Sequence, residues 1–119
     1  MIVATPDGGA WLLGDEEPGY FGPRALWRID PKGRRPRRIA LPSGRQPLAI
    51  AASPVDGRLW IAGVDFVAVL ERDGSLRAAA IPSHDVRSLA LAATGEGRAV
   101  LSRGDEILQL GDGGTRYTV

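Results

Sequence analysis

Short apolar runs, broken at regular intervals by Gly, Pro and Asp, fill this sequence from end to end. The clearest example is the stretch 48–82, LAIAASPVDGRLWIAGVDFVAVLERDGSLRAAAIP, with runs at 48–52, 58–63, 66–71 and 76–81. They are separated by Pro54-Val55-Asp56-Gly57, by Val64-Asp65 and by Arg72-Asp73-Gly74. Asp-Gly brings a side-chain acceptor and a residue that tolerates positive φ, the two things a tight reversal needs. Each run therefore reads as a strand and each break as a hairpin turn. No window keeps apolar residues at i, i+3, i+4 and i+7 without a Gly or Pro interrupting, so the pattern predicts no long helix.

The flanking segments are looser copies of this unit. The first, 1–42, has strands at 2–5, 10–14, 25–30 and 37–41, and an insertion at 15–24, DEEPGYFGPR, whose Pro and Gly content makes it a loop. The third, 83–119, has strands at 88–93, 98–102, 106–110 and 115–119. Ile29, Leu70 and Leu110 end the third strands, and Gly33, Gly74 and Gly114 follow them. The repeat of about 40 residues is that of a four-stranded propeller blade. The fold class is all-β: three antiparallel β-propeller blades at 1–42, 43–82 and 83–119, a partial propeller or half of an oligomeric ring. Trp11 and Trp60 share a place in the second strand, with Val100 as the third copy's equivalent, and read as core. Trp27, matched by Ala68 and Leu108, is the more open case. The Ala-rich first strands (Ala49, Ala51, Ala52; Ala90, Ala92, Ala93) fit the crowding of innermost strands at a central channel.

Composition adds limits. Fifteen Lys and Arg against fourteen Asp and Glu give a net charge of +1 over 119 residues, so no global field draws the chain to nucleic acid or to an anionic membrane. The absence of cysteine excludes disulfides and thiolate metal sites and leaves the compartment undetermined. No signal-peptide pattern and no apolar run of membrane-spanning length occurs, so a soluble chain is expected. Three blades do not close a ring. Further blades of the same longer chain, or a second copy in a six-bladed homodimer, are the expected partners.

The units QPLAIAASPVDGRLWIAG and VAVLERDGSLRAAAIP resemble NHL and streptogramin lyase repeats, in which DG-x-LW is followed by a strand, an Asp-Gly turn and a closing Leu-Pro. The segment IPSHDVRSLALAATGEGRAVLSRGDEILQLGDGGTRYTV is similar to the two-component regulator propeller repeat, although Val100 stands in place of its Trp. Both resemblances imply blade construction, which proteins of many functions share. The first also implies an expectation of chemistry, because streptogramin lyases use histidine and glutamate with a divalent metal on one propeller face.

That face collects the connections between second and third strands and between successive blades. Here it would gather Glu16, Glu17, Tyr20 and Phe21 of the insertion with Asp65, His84, Asp85 and Asp105. Tyr20 and Phe21, flanked by Pro and Gly, are candidates to hold a ligand over the channel mouth. Glu16, Glu17, Asp65 and His84 are the candidate ligands of a hard cation such as Mg²⁺ or Ca²⁺, and His84 is the candidate catalytic base. The competing reading makes all of them solvated loop residues and turn caps. The basic run Lys32, Arg34, Arg35, Arg37 and Arg38 lies toward the opposite rim or outer edge. It reads as a local patch for phosphate or an acidic partner, or as charge that keeps an edge strand from pairing. No aromatics are interleaved for base stacking, so nucleic acid is not the expected partner. The leading functional reading is a binding or interaction module for a protein or small-molecule ligand, with no cofactor. A metal-dependent lyase or hydrolase of the streptogramin lyase or lactonase kind, and a structural segment of a larger sensor propeller, are the alternatives.

Overall fold

The computed structural model describes residues 1–15, 24–33, 35–41, 46–81, 89–95, 97–104, 106–111 and 116–118. Its described residues form twelve strands and no helix: β1 (Ile2–Ala4), β2 (Ala10–Asp15), β3 (Arg24–Ile29), β4 (Arg37–Ile39), β5 (Ala49–Ala52), β6 (Leu59–Ala62), β7 (Phe66–Leu70), β8 (Leu76–Ala80), β9 (Leu89–Gly95), β10 (Arg98–Arg103), β11 (Glu106–Leu110) and β12 (Arg116–Thr118). They pair as three antiparallel meanders, β1-β2-β3-β4, β5-β6-β7-β8 and β9-β10-β11-β12, the blades expected from the repeat. The ends of the predicted insertion belong to strands, since Asp15 pairs with Arg24 in the β2–β3 ladder.

The turns obey the chemistry that predicted them. Gly57 and Gly74 have φ of 73° and 90°, in the left-handed region that glycine enters without a Cβ clash. The aspartate before each accepts the N–H two residues on: Asp56 from Arg58 at 3.1 Å and Asp73 from Ser75 at 2.9 Å. Asp7 does the same for Gly9 and Asp30 for Lys32, so one local device closes hairpins in two blades. The third blade lacks the Asp-Gly turn between its first two strands. There β9 runs on to Gly95, and the register shifts between Arg98 and Ala99, leaving Thr94 as an extra residue in a bulge.

Blade 2 is packed on both sides, which explains why β6 and β7 are buried at every position. Ile50, Leu59, Ile61, Phe66, Ala68 and Leu70 meet Trp11, Leu13 and Leu26 of blade 1. Trp60, Ala62, Val67, Val69 and Ile81 meet Ala99, Leu101, Leu108 and Leu110 of blade 3. Trp11 and Trp60 therefore play the same part in successive interfaces. Val100, in register with them, is only half-buried, because its face of blade 3 has no neighbouring blade. The same cause separates the alanines. Ala49 and Ala51 are buried as expected of an innermost strand, whereas Ala90 and Ala92 are exposed on that outer face.

Candidate functional site

Antiparallel meanders sort the connections onto two rims. The β2–β3, β6–β7 and β10–β11 connections and the inter-blade connections share one rim, the one expected to carry a ligand. The hairpins β1–β2, β3–β4, β5–β6 and β7–β8 lie on the other.

Of the residues expected on the first rim, Glu16, Glu17, Tyr20, Phe21, His84, Asp85 and Asp105 lie outside the described residues. Asp65 is described. It is half-buried in the β6–β7 turn, and its carbonyl accepts the N–H of Ile81 at 2.9 Å, tying that turn to the end of β8. Among the described residues no three His, Asp or Glu side chains come together as metal ligands. One carboxylate is not a site, so no reaction step through a metal follows from Asp65.

Sequence reading missed a residue that ties two blades together on this rim. Arg103, at the end of β10, is 1% exposed, and its Nη1 donates to the Val64 carbonyl of blade 2 at 2.9 Å. Its Nε and Nη2 donate to Glu106 Oε1 at 3.3 and 3.0 Å. Register explains how a buried arginine fits. The position equivalent to Arg103 is Gly63 in blade 2, and Glu106 corresponds to Phe66. In blade 2 the Phe66 ring folds so closely over Gly63 that a Cβ there would meet Phe66 Cε1 at 2.4 Å and the Gln46 carbonyl at 2.7 Å. Blade 3 fills the same corner with an ion pair, and the guanidinium reaches across the interface to hold the neighbouring turn. The signal available in the sequence was glycine at this place in two copies, Gly14 and Gly63, and arginine in the third.

On the second rim the basic run is placed beside the blade 1–blade 2 interface. Lys32, Arg35 and Arg37 are exposed there, and Arg38 is exposed on the face of β4 turned away from blade 2. Arg34 lies outside the described residues. Arg28, the cross-strand partner of Trp11, sits with its guanidinium 5.1 Å from the indole centroid. It donates to Asp7 Oδ2 at 2.7 Å and to Thr5 Oγ1 at 3.1 Å. The Thr5 hydroxyl, the Gly9 N–H and Arg28 together hold the exposed Asp7 carboxyl below its ordinary range. Burial alone would push the Asp56 carboxyl up; the Ser53 hydroxyl, the Arg58 N–H and the Arg58 guanidinium outweigh it and bring it below the ordinary value.

These three sheets are blades of a β-propeller, and solved propellers confirm the class. A streptogramin B lyase structure superposes with a TM-score of 0.78 at 20% identity, over 98% of this chain and 38% of its own. Virginiamycin B lyase from Staphylococcus aureus, in selenomethionine form, gives 0.72 at 17% identity over 99% and 39%. A catalytically inactive variant of that lyase with quinupristin gives 0.74 at 18% over 99% and 39%. The chain thus spans about two fifths of the length of the structures it resembles, and at these identities the likeness is one of fold. No protein-family model matches the chain, and no curated protein matches it. No helix among the described residues is long and apolar enough to cross a membrane.

Proposed function

We infer that the chain is a binding module built from propeller blades, holding its ligand on the rim of the β2–β3, β6–β7 and inter-blade connections. The observation that supports this reading is the Arg103 bridge. A fully buried guanidinium ties the end of β10 to the β6–β7 turn of the neighbouring blade, and a turn held in place binds at lower entropic cost. The second reading, a lyase using His84 with Glu16, Glu17, Asp65 or Asp105 and a divalent cation such as Mg²⁺ or Ca²⁺, is favoured by the fold of the neighbours alone. Quinupristin, bound in one of them, is the natural probe. Calorimetry with quinupristin is expected to give saturable binding that is lost when residues 16–23 are deleted, with the compound's mass unchanged after incubation. Conversion that requires Mg²⁺ or Ca²⁺ and disappears in His84→Ala would replace the first reading by the second. Failure to bind at all would remove quinupristin-like ligands from both.

The same reading requires more blades. On the free face of blade 1, Ile2, Leu12, Trp27 and Ile29 stand in register with Ile50, Ile61, Ala68 and Leu70, which blade 2 buries. On the free face of blade 3, Val100 and Ile107 correspond to the buried Trp60 and Val67. Ile2 is 65% and Ile107 45% exposed. Apolar sheet faces of this kind are covered in a finished propeller. Light scattering of the chain by itself is expected to show self-association: twice the 12.6 kDa monomer for a six-bladed pair, or larger open assemblies if blade 1 stacks on blade 3 without closing. A species that stays at the monomer mass over a wide concentration series would show that these faces need no cover.

A further inference from the structure

On the rim opposite the proposed ligand face, blades 1 and 2 enclose a cleft of about 320 Å³, with Trp11, Ile39 and Leu70 among its lining residues and Arg37 and Arg72 on its two sides. A second hollow of about 470 Å³, lined in part by Lys32 and Arg35, shares Asp7, Arg28 and Arg37 with it, so the two adjoin, and the groove is the pair of them.

Three of the four carboxylates that line this groove form ion pairs with arginines, and the fourth, Asp30, accepts a backbone N–H. Asp7 pairs with Arg28 at 2.7 Å, and Glu71 pairs with Arg77 and with Arg58 Nε at 3.0 Å. Asp56 Oδ2 lies 3.6 Å from the same Arg58 Nε, and Asp30 Oδ1 accepts the Lys32 N–H at 2.7 Å. Lys32, Arg35, Arg37 and Arg72 are exposed, and among the described residues no carboxylate pairs with any of them. Four cations, from the β3–β4 connection, β4 and the β7–β8 hairpin of two different blades, therefore line this groove with no ion-pair partner among the described residues, against one carboxylate, Asp30, that no arginine or lysine pairs. Guanidinium groups are planar forks that match the oxygens of phosphate. A charged edge that served only to block strand pairing would have no reason to recruit Arg72 from the next blade.

We propose that this inter-blade groove binds a small phosphorylated molecule, its phosphates between Arg37 and Arg72 and its body over Trp11 and Leu70. The groove lies within the 300–1,000 Å³ range of small-molecule sites. It is independent of the ligand face on the other rim, so either can fail without the other.

The test uses the whole chain, with inorganic tripolyphosphate and ATP as probes and calorimetry and melting temperature as readouts. Both probes are expected to bind with a 1:1 stoichiometry per chain and to raise the melting temperature, the affinity falling as salt is added. The double variant Arg37→Ala/Arg72→Ala, which changes two exposed side chains, should weaken binding by about 10- to 100-fold, the loss of charge-assisted hydrogen bonds from two arginines. Arg98→Ala, at an exposed position of blade 3, should leave it unchanged. No binding of either probe, or equal affinity in the double variant and the parent, would overturn the proposal. An equal loss in Arg98→Ala would also overturn it, by showing a response to net charge alone.

Discussion

Trp60→Ala is expected to lower the stability of the chain by about 3–5 kcal/mol, the range for truncating a large buried aromatic. Trp60 is 1% exposed and fills the interface between blades 2 and 3, against Val67, Val69, Leu101 and Leu108. Its loss removes apolar burial from both blades at once, and little can collapse into the space because β6 is fixed on either side by ladder hydrogen bonds. Trp60→Phe separates packing from polarity. The indole Nε1 is buried and has no hydrogen-bond partner among the described residues, so native Trp60 carries a desolvation cost of about 1–3 kcal/mol. Phenylalanine sheds that cost and leaves a cavity worth about 1 kcal/mol. The phenylalanine variant is therefore expected to stay within about 1 kcal/mol of the parent while the alanine variant does not. Denaturant midpoints of the three proteins decide the matter. If phenylalanine cost as much as alanine, the indole N–H would have to be paired in solution, and the interface would differ from the one described.

The contrast also shows which parts of this chain its sequence made legible. Turn chemistry is local: Asp56-Gly57 and Asp73-Gly74 carry their hydrogen bonds and their positive φ within four residues, so strand ends could be placed from them. Repetition turned local units into blades, and the place shared by Trp11 and Trp60 became the interface core. What stayed hidden depends on contacts between units. That Ala51 is buried and Ala92 exposed, although they occupy equivalent places in equivalent strands, depends on whether a further blade is present. The basic run was visible as charge from Lys32 onward, but its partner across the cleft, Arg72, is forty residues away in another blade and forms a groove with Arg37 only once the blades are packed. Arg103 was hidden for a different reason. In isolation an arginine after a strand reads as a surface residue, and only its register with Gly63 reveals a corner that must be filled from inside.

That corner supplies the second large effect. Glu106→Ala is expected to cost about 3 kcal/mol, because it leaves the Arg103 guanidinium buried with the Val64 carbonyl as its remaining acceptor among the described residues; the figure is the low end for an uncompensated buried charge, since Glu106 is itself 25% exposed. Arg103→Met should be far milder, at about 1 kcal/mol, because it replaces the charge by an apolar chain of similar length and gives up bonds to a carboxylate that water reaches and to an exposed turn. A surface ion pair would give no such ordering, since there the two substitutions cost the same small amount and both effects vanish in salt. The double variant should resemble Arg103→Met alone, since without the arginine Glu106 has no buried charge to neutralise. Hydrogen exchange reads the consequence for the rim. The Ile81 N–H, bonded to the Asp65 carbonyl at 2.9 Å, should lose protection in Arg103→Met even though global stability is little changed. Loss of that protection would tie the platform of the proposed ligand face to one guanidinium from the neighbouring blade. Full protection would mean that the Val64-Asp65 turn holds itself, and the rigidity of that rim would need another source.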